Sequence, residues 1–306
     1  MSDSSPNPNG DLPVSAPQRF GFEALTVLWQ GDREIAVFKP AGLSSERPLH
    51  GASAGDDSGP HAPHAPRTAS AKATDATDAT SGVANFSARD CALERARLQF
   101  QWPEARLPHR LDRPTSGILM IAADALRAAD HAQEIRERKW TKYYIARVEA
   151  RATAGEAAGL VGRHKAYIRR EGRLARCVRS GGDPASLEVL AVAPAENTAK
   201  HAHLVIRLET GRFHQIRVMM VNLGFPLVGD VEYGGLSWHP PRDTARAPHT
   251  QSQRRPHGME LIAAGLRIDR PTGATIIEAF AEPAVISDVS RALRQKLKDL
   301  LSGAAK

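Results

Sequence analysis

The stretch His201-Ala202-His203-Leu204-Val205-Ile206-Arg207-Leu208-Glu209 and its continuation Thr210-Gly211-Arg212-Phe213-His214-Gln215-Ile216-Arg217-Val218 change period within a few residues. Over 201–209, Ala202, Leu204, Ile206 and Leu208 point one way while His201, His203, Val205, Arg207 and Glu209 point the other, the pattern of a half-buried strand. Beyond it the spacing turns helical. Phe213, Ile216, Met220 and Leu223 share one stripe, Thr210 is placed to cap a helix beginning near Arg212, and Gly224 and Pro226 are placed to end it. Arg217 follows Ile216 and so falls near the buried side.

Outward from this unit, Leu25–Trp29 and Glu34–Phe38 flank a short polar turn and form a hairpin, stopped by Pro40-Ala41-Gly42. Gly117–Ala122 is an apolar run suited to a buried strand, and Asp124 then opens a helix to about Glu137. In the strand Lys142–Val148, Tyr144, Ala146 and Val148 share one face and Tyr143, Ile145 and Arg147 the other, so one tyrosine faces inward. Leu261–Ile268 and Thr275–Phe280 form a second hairpin about Arg270–Gly273. A final helix from about Ser287 to Leu301 carries Val289, Leu293, Leu297 and Leu300 on one side. Residues 85–100 show no clean period. Strands outnumber helices and often join by hairpins, which makes the class α+β with a largely antiparallel sheet.

Three classes of protein are disfavoured by composition. The 306 residues are 42% hydrophobic and 25% charged, ordinary globular usage, and no apolar segment is long enough to cross a bilayer. Two cysteines far apart, Cys91 and Cys177, fit a reducing compartment rather than a disulfide framework or a zinc ribbon. Residues 1–18 are rich in Ser, Pro, Asn and Gly and are expected to be a disordered tail. Residues 50–84, with their His-Ala-Pro and Ala-Thr-Asp repeats, are expected to be a low-complexity insertion in a surface loop. The net charge of +7, with a pI of about 9.7, favours an acidic or nucleic-acid partner. The basic stretch 242–257 suits an RNA-touching loop and a solvated one about equally.

The segment with the most chemistry is Pro108-His109-Arg110-Leu111-Asp112-Arg113-Pro114-Thr115-Ser116-Gly117. Taken alone, Asp112 there is an Asx-turn residue or an ion-pair partner of Arg110 or Arg113. The reading changes with Gly211–Val218 and with Gly224-Phe225-Pro226-Leu227-Val228-Gly229-Asp230-Val231-Glu232-Tyr233-Gly234. His109–Gly117 matches HRLD-x-x-TSG, Lys142–Val148 matches K-x-Y-x-A-x-V, and Gly211–Gly234 matches GR-x-HQIR-V followed by G-x-P-hydrophobic-x-GD-x-x-YG. In this order the motifs resemble the RluA family of pseudouridine synthases, over roughly residues 20–283 outside the insertion.

The resemblance implies a curved, mainly antiparallel mixed sheet with flanking helices, the pseudouridine synthase catalytic fold. It would be one catalytic domain over 19–283 with a C-terminal helix over 284–306. The implied activity is isomerisation of uridine to pseudouridine in rRNA or tRNA, with no metal or organic cofactor. The chain would act as a soluble, cytoplasmic monomer without a preceding S4-type RNA-binding module. Position by position, Asp112 resembles the catalytic carboxylate, Arg217 its cationic partner, and Tyr144 the tyrosine that stacks on uracil and assists proton transfer. Arg110 resembles the side chain that fills the RNA stack when the target base flips out. Arg113, Lys39, Lys142, Arg212, His214 and Gln215 are the further RNA contacts the motifs suggest. The family's Leu-His-Ala near the C-terminus is replaced here by Leu261-Ile262-Ala263. The competing reading is a non-catalytic RNA-binding or RNA-chaperone protein on the same fold.

Overall fold

A computed structural model describes residues 23–47, 90–150, 153–195, 198–234, 258–279 and 289–304. The expected tail, the expected insertion and the basic stretch 242–257 lie outside the described residues. Ten strands form one sheet: β1 (Thr26–Gly31), β2 (Glu34–Lys39), β3 (Ser116–Ala122), β4 (Trp140–Glu149), β5 (Gly162–Glu171), β6 (Leu174–Val178), β7 (Asp183–Pro194), β8 (His201–Leu208), β9 (Leu261–Arg270) and β10 (Gly273–Glu278). Their order is β1-β2-β3-β9-β4-β8-β7-β5-β6, with β10 also paired to β9. Among the described strands every pairing is antiparallel except a short parallel contact of β3 with β9, through Ser116 and Gly117 against Ile262 and Ala263. Gly117 is required there. Its φ is +113°, and a Cβ would stand 2.3 Å from the Ala263 carbonyl oxygen.

Among the described residues four α-helices flank the sheet: α1 (Ala92–Gln99), α2 (Ala125–Arg136), α3 (Gln215–Asn222) and α4 (Arg291–Ser302). Asp124 caps α2 by accepting the Arg127 N–H at 3.0 Å, as its position in the sequence suggests. Helix α1 lies within the stretch that lacked a period, and its small buried face of Ala92, Leu93 and Ala96 explains the weak signal.

Both faces of the sheet are covered, so its centre is buried on both sides. One apolar cluster gathers Leu111, Tyr144, Ala146, Leu204, Ile206, Ile216 and Met220; the other gathers Tyr143, Ile145, Val205 and Leu266 with Leu293, Leu297 and Leu301 of α4. The half-buried expectation for β8 is therefore corrected, because His203 and Val205 are as inaccessible as Leu204. Tyr143 and Tyr144 are both buried, on opposite faces, beside a bulge that places two steps of β9 against one of β4. On α4 it is Leu301, not Leu300, that completes the buried stripe.

Candidate active site

The loop carrying Asp112 is pinned on both sides of that residue. Ser45 Oγ donates to the Leu111 carbonyl at 2.7 Å and accepts the Leu111 N–H at 3.0 Å. The Arg113 carbonyl accepts the Gly42 N–H at 2.8 Å and the Lys39 ammonium at 3.2 Å, and the Asp112 carbonyl accepts the Thr115 N–H at 3.0 Å. With its backbone fixed, the half-buried Asp112 carboxylate makes no hydrogen bond or ion pair among the described residues. Burial raises its pKa, Arg217 and Lys39 oppose the rise, and Asp230 and Glu232 add to it. Neither expected ion pair forms: Arg110 pairs with Glu46, and Arg113 Nε donates to the Gly42 carbonyl at 2.9 Å.

Tyr144 projects from β4 on the same side. Its hydroxyl makes no hydrogen bond among the described residues, and burial together with the nearby Asp112 charge raises its pKa, so it stays a neutral phenol. Lys142 is half-buried, its ammonium 5.6 Å from the Trp140 ring, and burial pushes its pKa down to about 8.

Arg217 is 2% exposed and supplies the third group. Its Nε and Nη2 make a bidentate pair with Asp230 at 2.8 and 2.7 Å, Nη2 also donates to Glu232 at 2.7 Å, and Nη1 donates to His214 Nε2 at 3.0 Å. The expected direct partner, Asp112, is thus replaced by Asp230; Asp112 feels Arg217 through its charge. A guanidinium has five N–H groups, and these four bonds leave one on Nη1 uncommitted. Burial would lower the pKa of Arg217, but the Asp230 and Glu232 bonds more than offset it and keep the cation charged. The Tyr233 ring lies 4.8 Å from the guanidinium carbon and completes the clamp.

The start of α3 explains why the Arg217 head points this way. The capping residue is His214, not Thr210, and His214 adopts a left-handed φ of 51°. That turn aims the imidazole between Arg217 and Tyr233. Arginine can only donate, so His214 Nε2 accepts, its Nδ1 carries the proton, and Nδ1 donates to the Tyr233 oxygen at 2.9 Å. Burial, helped by Arg217 and Arg170, holds His214 neutral with a pKa down to about 2. Thr210 instead accepts the Ser186 N–H and donates to Gln215, whose side chain reaches back to the Arg212 N–H and across to the Ser186 carbonyl.

Three expected RNA contacts are therefore corrected. Lys39 is fully buried with its ammonium on the Pro40, Leu43 and Arg113 carbonyls, Gln215 is buried and spends its amide on the turn before α3, and both His214 nitrogens are occupied. They hold the site's walls. Arg110, Arg113 and Arg212 reach the surface in varying degree, Arg212 Nε bonding the Pro184 carbonyl at 3.0 Å. The residues that sequence reasoning gave no role are Asp230, Glu232 and Tyr233. Asp230 and Tyr233 stand in the GD-x-x-YG motif, whereas Glu232 carried no signal.

Comparison with known proteins bears on the family and the fold. A family model described as RNA pseudouridylate synthase matches residues 35–222, more than half of the chain. The chain belongs to this family. The ribosomal large subunit pseudouridine synthase D of Vibrio cholerae is 31% identical over 198 residues, covering 64% of this chain and 58% of that relative. Its namesake in Pseudomonas aeruginosa is 33% identical over 170 residues, covering 55% of this chain and 50% of that protein. The chain therefore spans little more than half the length of these synthases. The human RNA pseudouridylate synthase domain containing 1 shares the synthase fold, with a TM-score of 0.54 and 20% identity over 91% of this chain and 95% of that one. Among the described residues no helix is long and apolar enough to cross a membrane.

Proposed function

We propose that the chain isomerises uridine in RNA to pseudouridine, with Asp112 as the reacting carboxylate, and that large-subunit ribosomal RNA is the substrate to test first, as the names of its relatives suggest. The observation that carries this reading is the contrast within the site: Arg217 is held by Asp230, Glu232 and His214, while Asp112 is fixed through its backbone and its carboxylate has no partner among the described residues. A carboxylate held in place without hydrogen bonds is a competent nucleophile or base.

The reaction breaks the C1′–N1 bond, turns the uracil, and forms a C1′–C5 bond. The C5 hydrogen leaves as a proton and N1, freed from the sugar, takes one up from solvent, so atoms balance without a co-reactant. Asp112 attacks C1′ or removes a sugar proton; the uncommitted Arg217 N–H orients it or steadies charge on the departing base. Tyr144, a neutral phenol with no hydrogen bond among the described residues, would stack on the uracil and relay the C5 proton. Entry of a buried base requires flipping, which costs a few kcal/mol. Arg110 would leave Glu46 to fill the vacated stack, and Arg113, Lys142 and Arg212 would meet the backbone. The protein would act as a cytoplasmic monomer with one catalytic domain.

The test is release of tritium to water from RNA labelled at uracil C5, by wild type and by Asp112→Asn. Release by wild type alone supports the reading. Equal release from both, or none from unmodified ribosomal and transfer RNA that the protein binds, would overturn it, the latter in favour of a binding protein.

A further inference from the structure

The net charge of the chain is concentrated in one place. Residues 162–182 hold seven Lys and Arg against a single acidic residue, Glu171, a net charge of +6 where all 306 residues carry +7. This segment is the β5–β6 hairpin with its two turns, and β6 is the last strand of the sheet. All seven cations are exposed. Register puts Arg169 opposite Arg176, and Lys165 two residues before Tyr167, on the face away from Asp112; Arg170 lies on the near face, and Arg173 and Arg179 stand in the turns flanking β6. The charge thus follows the rim of the sheet.

The rim adjoins the residues that hold Arg217. The Arg170 guanidinium sits 4.7 Å from the centre of the Phe213 ring, which packs on His214 at 3.7 Å between centroids, and the Ala175 N–H donates to Tyr233 at 2.6 Å. Glu171 serves both Arg169 and Arg176, and Arg163 meets Glu209, while Lys165, Arg173 and Arg179 have no ion pair among the described residues. Charged side chains also protect a free sheet edge, but here the charge extends over β5 and both turns as well as the edge strand β6. Seven of one sign repel one another and call for a polyanion.

We infer that the β5–β6 rim is a second RNA-binding element, one that grips the phosphate backbone of the strand leaving the cleft without reading its sequence. This rests on the proposed RNA substrate. Each phosphate contact contributes a slope of about −0.7 to −0.9 in log K against log salt. Removing Arg173, Arg176 and Arg179 together should therefore flatten the slope by about 2 to 3 and weaken binding at least about tenfold at 0.1 M salt.

The experiment measures binding of the full chain to poly(U) and to an unmodified large-subunit ribosomal RNA transcript across a salt series, with tritium release recorded alongside. The variants are Arg173→Ala/Arg176→Ala/Arg179→Ala and, as a control of equal charge on the face away from Asp112, Arg291→Ala/Lys296→Ala/Lys298→Ala on α4. The expected result is a flatter slope and a raised KM with unchanged kcat for the rim variant, on both RNAs, and wild-type slopes for the control. Equal slopes in wild type and rim variant, equal losses in rim and control, or no salt-sensitive binding of wild type to either RNA would overturn it. Binding without tritium release by wild type would instead count against the proposed reaction and leave the slope comparison decisive for the rim.

Discussion

Two buried ionic networks lie on opposite faces of the sheet, built from the same residue types and finished differently. Behind β2, Glu34 accepts from Arg127 at 2.7 Å and from Arg270 at 2.9 and 3.0 Å, with His131 Nε2 2.9 Å away; Glu134 accepts from Arg270 and from the Trp140 indole, and lies 2.9 Å from His131 Nδ1. Every carboxylate oxygen is engaged. Burial would raise both pKa values, yet these bonds bring each down to about 2. On the other face, Asp230 is satisfied in the same manner, but the Asp112 carboxylate has no bond among the described residues and a raised pKa. A closed network ties β2, α2, β4 and β9 together, whereas an open one keeps a carboxylate and an N–H available to a ligand.

The contrast breaks most visibly at Asp112. Asp112→Asn should lower tritium release at least about 10⁴-fold, more than ~5 kcal/mol of barrier, with RNA affinity retained; a loss of affinity parallel to turnover would make Asp112 a binding residue. Glu34→Gln should do the reverse. It removes the anion that Arg127 and Arg270 share, leaving Arg270 only the Glu134 carboxylate among the described residues, and should cost about 3–5 kcal/mol in urea unfolding, with kcat of the folded protein unchanged.

The same network sets an acid limit. Glu34 and Glu134 have depressed folded pKa values, so their stabilisation is complete above the unfolded value near 4.5 and is lost as pH falls towards about 2. Glu34 alone contributes on the order of 3 kcal/mol over that window. Urea midpoints of wild type and Glu34→Gln should converge between pH 5 and 2; a constant gap would contradict the network's ionisation. The smallest effect concerns Glu232, whose charge raises the Asp112 pKa and whose carboxylate occupies Arg217. Glu232→Gln should move the acid limb of kcat/KM to lower pH by up to about one unit, and a shift upward would place Glu232 in another role.

Much of this was legible in the chain. The hairpins at β1–β2 and β9–β10, the capped helix after Asp124 and the strand bearing Tyr144 follow from period and turn chemistry, and the motifs pointed to Asp112, Tyr144 and Arg217. Strands β5 to β7 were not read, because β5 and β6 alternate exposed Arg and Lys with small or half-buried residues at a sheet edge and present little apolar signal. The fate of a side chain was harder still. Lys39 and Gln215 are polar residues in motifs, and only the packed structure shows their groups spent on backbone carbonyls and turn amides. Glu232 enters the site because a short helical turn, Val231–Tyr233, brings it to Arg217, a contact no local pattern encodes.

The central claim is that Asp112 is a carboxylate kept unpaired for chemistry, at some cost to the fold. The most direct test is the urea midpoint of Asp112→Asn at pH 7. A midpoint equal to or above wild type is the predicted result, since the substitution removes a desolvated charge that no hydrogen bond compensates. A fall comparable to that of Glu34→Gln would show Asp112 to be a structural ion-pair residue and contradict the account.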